Sequence, residues 1–185
     1  MKFYRGVLII TFIIAFSIEG FSQIYKSKEK NLNVSFFSET PLENIDASSN
    51  AGKGLINLVN DSLVFKIPVN SFHFKNSLMQ DHFNENYMET ETYPDAWFKG
   101  KLNVPVNKAT PGKTDVLVTG FLDIHGVKRY REIKGILNIN EDGTILLSSD
   151  FTVKLKDHNI KVPSIVWEKI AEEVLVKVRG NFIPK

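Results

Sequence analysis

The chain has 185 residues, 43% of them apolar and 14 of them Phe, with a formal charge of +2 and both signs mixed along its length. That length and composition suit one domain with a sizeable core and exclude a disordered chain. No Lys/Arg run marks a nucleic-acid footprint, and the absence of Cys excludes disulfides, thiol catalysis, thiolate metal sites and a lipid-bearing cysteine.

The chain opens with Lys2 and Arg5, then an apolar run, VLIITFIIAFSI (7–18). That run is shorter than the roughly 20 residues that cross a bilayer as a helix. Gly20 and Ser22 put small residues at the two positions that a signal peptidase reads. A signal peptide over 1–22, cleaved before Gln23, is therefore expected, leaving a domain over 23–185. The alternative is an uncleaved anchor.

From Leu32 the dominant period is two. LNVSFFS (32–38), IDASS (45–49) and KGLINLV (53–59) are the first strands. Asn60-Asp61 turns into LVFKIPVNSFHF (63–74), where Leu63, Phe65, Ile67 and Val69 share a face and Pro68 implies a free edge or a bulge. WFKGKLNVPV (97–106), DVLVTGFLDI (115–124) and RYREIKGILNI (129–139) follow. Asp142-Gly143 is the clearest hairpin signal. TILLSSDFTVKL (144–155) and EVLVKVRGNFI (173–183) complete eight or nine short strands. Gly54, Gly100, Gly120, Gly135 and Gly180 fall inside strands, which points to a strongly bent, closed sheet. An up-and-down antiparallel barrel follows.

Two segments break the alternation. Residues 76–90 carry Met79, Phe83 and Tyr87 at four-residue steps, one apolar helical stripe. Residues 164–172 follow Pro163, with Ser164 as N-cap and Val166, Ile170 and Ala171 as apolar positions. If strands alternate up and down from residue 63, both helices and the His125-Gly126 turn lie at one barrel mouth, and the Asp142-Gly143 turn lies at the other end.

Three stretches carry a resemblance: SFHFKNSLMQDHFNENYMETETYPDAWFKG (71–100), VTGFLDIHGVKR (118–129) and DHNIKVPSIVWEKIAEEVLVKV (157–178). With them the chain from about Asn31 onward resembles the YceI-like family of secreted bacterial lipid- and polyisoprenoid-binding proteins. The resemblance implies an all-β, eight-stranded, lipocalin-like antiparallel barrel with an elongated apolar pocket. It implies an isoprenoid or other long-chain lipid as ligand, and a place in the periplasm or outside the cell. Bulky Phe72, His73 and Phe74 depart from the small polar residues that better-known members carry before the helix.

His82 and Glu85 lie three apart on the helix, and His73, His125 and His158 reach the same rim. A metal site and a merely polar rim are the two readings of these residues; the second is adopted, with no metal. No H-E-x-x-H, G-x-S-x-G or Gly-rich phosphate loop appears, so the sequence nominates no enzyme and no cofactor.

An eight-stranded barrel is either filled by its own side chains or holds one small ligand. Two caps at one mouth, and Gly and Ser on the inward phase, favour a cavity. Its walls are expected to be Val34, Phe36, Phe65, Ile67, Phe98, Leu102, Val118, Leu122, Leu137, Phe151 and Val176. Met79, Phe83 and Tyr87 would close the mouth. Arg131, in phase at the mouth end with Arg129 and His125 nearby, would meet a phosphate or quinone oxygen. Asp81 and Glu85 favour a neutral head. The expected partner is an isoprenoid, quinone or fatty-chain lipid, with no stable membrane insertion after signal removal. Oligomeric state stays open, a dimer included. The alternative is a secreted interaction module with a filled barrel, its surface marked by exposed Phe37 or Trp97.

Overall fold

The computed structural model describes residues 24–39, 44–103, 106, 110–161 and 172–185. The expected signal peptide with its cleavage point at Gln23, Val104, and all but the last residue of the helix expected over 164–172 lie outside the described residues.

Ten strand segments form one antiparallel sheet: β1 (Ile24–Ser38), β2 (Ile45–Ser49), β3 (Lys53–Asn57), β4 (Ser62–Pro68), β5 (His73–Phe74), β6 (Asp95–Leu102), β7 (Gly112–Ile124), β8 (Val127–Ile139), β9 (Ile145–Lys154) and β10 (Glu173–Pro184). β3 pairs with the start of β1 and β2 with its end, so together they fill one place in the wall. β4 pairs with β3 and β5 with β2, filling the next. Pairing of β10 with β1 closes the ring. The result is the eight-stranded antiparallel barrel that the alternation implied.

The strand boundaries differ from the expected ones where backbone conformation breaks the period. β1 begins at Ile24, not Leu32. Its first part is a polar run, and Lys30 at φ 57° puts a bulge between Ser27 and Leu32. Pairing with β3 and β10 holds that run, which no local pattern announces. Residues 63–74 are not one strand. β4 stops at Pro68, a 3-10 turn spans Val69–Ser71, and β5 resumes at His73. Pro has no N–H to continue a ladder. Val69 donates its N–H to the carbonyl of Pro94, the residue before β6, at 2.8 Å, and the ladder ends there.

Only part of 76–90 is α-helical. Helix α1 covers Ser77–His82 and passes into a π-helical turn over Phe83–Tyr87, closed by Met88 N–H to the Phe83 carbonyl at 2.9 Å. Asn76 caps it, its side-chain oxygen accepting from the Leu78 and Met79 amides at 2.9 and 3.4 Å.

The barrel interior has two halves. At the Asp142-Gly143 end, Tyr25, Leu32, Ile56, Leu63, Leu102, Val116, Leu137, Ile139, Ile145 and Phe182 pack into a solid floor. At the other end, Val69, Met88 and Ile160 form a smaller buried cluster with Phe83, Tyr87, Ala96, Ile124 and Leu155 against it. The space between them is open.

Four of the interior glycines do not create that space, contrary to expectation. A Cβ on Gly54 would meet the Phe65 and Phe182 rings at 2.8 and 2.9 Å, and one on Gly180 the Phe182 ring at 2.7 Å. At Gly100 and Gly120 it would strike backbone of the neighbouring strand. These glycines let aromatic rings lie over the backbone and let β6 and β7 approach closely; Gly135 alone of the five lines the hollow.

Candidate ligand cavity

The hollow is a cavity of about 490 Å³. Strand alternation supplies its walls. Val34, Phe36, Phe65, Ile67, Phe98, Leu102, Val118, Leu122, Leu137, Phe151 and Val176 all line it, brought together from seven strands. Ser38, Lys66, Asn76, His82, Lys134 and Ser149 are the polar side chains that reach its surface. Such a lining solvates apolar chains, with Lys66 and Lys134 as its charged side chains.

Met79, Phe83 and Tyr87 close the mouth as half-buried side chains, while Asp81, Glu85 and Glu89 face water. Phe83 is the centre of an aromatic plug. Its ring stacks on Phe36 with centroids 5.5 Å apart and lies 5.9 Å from Phe72 and 5.0 Å from Phe74.

Sequence reasoning missed Phe72, Phe74 and Met88 as lining residues. The signal was there for two of them. Phe65, Ile67 and Val69 are odd-numbered and Phe72 and Phe74 even; the three-residue turn after Pro68 shifts the phase by one. Met88 is the most deeply buried residue of the lid at 7% exposure, because the π-helical turn carries five residues instead of four.

Arg131 does not share the lining. Its Nη2–H donates to the Thr152 carbonyl at 2.7 Å, and Arg129 Nε–H donates to the Asp157 carbonyl at 2.7 Å. His125 and His158 are not at a wet rim. Both are buried, His158 completely. His125 Nδ1–H donates to the His158 carbonyl at 3.2 Å and His158 Nδ1–H to the Val127 carbonyl at 2.9 Å, tying the end of β9 to the β7–β8 turn. Burial holds the His158 pKa below its ordinary value, against the raising effect of the Val127 and Ile124 carbonyls.

The Tyr93 ring covers His125 at 4.4 Å, and Gly126, at φ 70°, has no room for a Cβ beneath that ring. The motifs around Tyr93 and His125 are thus one packing unit. Among the described residues no three His, Asp or Glu side chains converge as metal ligands. Trp97 and Phe37 are half-buried rather than exposed, and Trp97 lies under the Lys66 and Lys99 ammonium groups at 5.0 and 5.1 Å.

Residues 25–182 match the family model described as a YceI-like domain. No curated protein matches the chain. Among solved structures, one similar fold is a polyisoprenoid binding domain from Saccharophagus degradans implicated in plant cell wall breakdown. It superposes with a TM-score of 0.74 at 16% identity, covering 87% of this chain and 98% of that one. BcnA of Burkholderia cenocepacia gives 0.71 at 18%, covering 84% and 98%. The YCEI protein of Campylobacter jejuni gives 0.54 at 16%, covering 97% and 90%. At these identities the likeness is one of fold.

Proposed function

Because the chain belongs to the YceI-like family, we propose that it is a binding or carrier protein whose barrel holds one long-chain lipid, an isoprenoid, a quinone or a similar apolar chain. The observation that carries this is the cavity of about 490 Å³ with an almost wholly apolar wall under an aromatic lid. The polyisoprenoid-binding description of the Saccharophagus degradans domain supports the isoprenoid class.

The mechanism is passive. Each methylene moved from water into such a tube gains about 0.8 kcal/mol, so ten gain on the order of 8 kcal/mol before the entropy of binding is charged. No step needs a catalytic group or a cofactor. The signal-like sequence of residues 1–22 supports a periplasmic or secreted location.

The test is extraction of the purified protein with organic solvent, followed by mass spectrometry. A co-purified isoprenoid, quinone or fatty chain is the expected result. Failure to retain or take up any chain-type lipid would turn the reading toward a protein-interaction module.

A further inference from the structure

We propose that the wall between β8 and β9 is a second opening of the cavity, through which the apolar chain of a lipid enters and leaves sideways. This rests on the reading that the cavity holds such a chain.

The β8–β9 ladder covers only Ile136–Ile139 against Ile145–Ser148. β8 continues nine residues beyond it, to Val127, and β9 six, to Lys154, with no ladder between those portions among the described residues. Three side-chain bonds to carbonyls span the parting instead. Ser149 Oγ–H donates to Lys134 at 2.6 Å, Arg131 to Thr152 and Arg129 to Asp157. The His125–His158 contacts close its far end, at the barrel mouth. The parting is therefore a window with a hydrogen-bonded sill at Ile136 and Ser148, crossed by three bars.

The cavity reaches that sill. Gly135, Ser149 and Phe151 line it from the inward phase, and Lys134 and Ile136 line it from the outward phase of the same strand. Outside, Ile136 and Leu146 are exposed at and below the sill, so apolar surface continues from the cavity lining at Ile136 to the exterior. Opening the window breaks a few side-chain bonds. Opening the mouth must pull Phe83 out of a four-ring cluster and displace a capped helix. The window is the easier route for a chain, and the lid is then a stop rather than a door.

The geometry supplies a direct test. A Cβ on Gly135 would lie 3.5 Å from the Ser149 Cβ, within the span of a disulfide. The chain has no other cysteine, so Gly135→Cys with Ser149→Cys forms a single staple at the sill end of the window, where the cavity lining reaches it. The probe is cis-parinaric acid, its uptake and its release to phosphatidylcholine vesicles followed by stopped-flow fluorescence. The oxidised staple should slow both rates about tenfold or more relative to the reduced form of the same double variant, which exchanges freely. Arg131→Ala, which removes one bar, should speed both rates about fivefold, as expected for one hydrogen bond.

Equal rates in the oxidised and reduced forms would overturn the window. If the double variant does not fold or oxidise, Arg131→Ala decides alone, and unchanged exchange overturns the proposal. Failure of the unaltered protein to take up the probe would remove the carrier reading and the window with it.

Discussion

The Phe83 ring touches three others, and its neighbour on the helix, His82, is exposed beside the same cavity. Replacing Phe83 with Asp removes the aromatic contacts and puts a carboxylate where apolar surface closes the mouth. Lipid retention, measured by mass spectrometry of extracts, should fall about tenfold or more, while His82→Ala should change it less than about twofold. The reverse ranking would shift the site to the polar face of the helix. His158 acts on stability instead. Its folded pKa lies below the unfolded value of about 6.5, so the unfolded chain binds the extra proton. The contribution of this group is complete above that unfolded value and declines as pH falls from there toward the folded one. The melting temperature should drop between about pH 7 and pH 5, and His158→Gln should flatten that slope. The inward residues were legible because β alternation is local. The burial of His125 and His158 was not, since carbonyls about thirty residues away along the chain take up their Nδ1–H groups.

The lid shows how much an element's local sequence conveys. Four-residue spacing of Met79, Phe83 and Tyr87 gives a helix with the right face inward. The π-helical turn that buries Met88 depends on packing against Val69 and Ile160. The Asn76 cap is a local feature with a local test. Asn76→Ala should cost the lid about 1 kcal/mol while moving the melting temperature little, since the barrel wall does not depend on the helix. Hydrogen exchange at the Leu78 and Met79 amides should rise about fivefold in that variant, with the strand amides unchanged. Pro68 was legible as a free edge or a bulge, but the 3-10 turn after it, closed by Phe72 N–H to the Val69 carbonyl and shifting the inward phase by one, was not.

At the level of the whole molecule, a packed floor and a hollow upper half divide stability from binding. Ile56 is fully buried in the floor, so Ile56→Ala should cost about 2–5 kcal/mol in denaturant unfolding and leave cis-parinaric acid affinity little changed. Val176 lines the hollow. Val176→Phe should do the reverse, holding or raising the melting temperature while lowering affinity for the chain. A uniformly filled barrel would show the same stability penalty at both positions and no binding to lose.

By itself the sequence determined most of the strands and their inward faces, the single lid stripe and the antiparallel barrel, because period and turn chemistry act between residues close along the chain. Tertiary structure alone decided that the glycines admit rings and close backbones instead of opening space, that only one half of the tube is empty, and that β8 and β9 part company above Ile136. Those features depend on distances between strands far apart in the chain. Alternation reads the same on both sides of that divide.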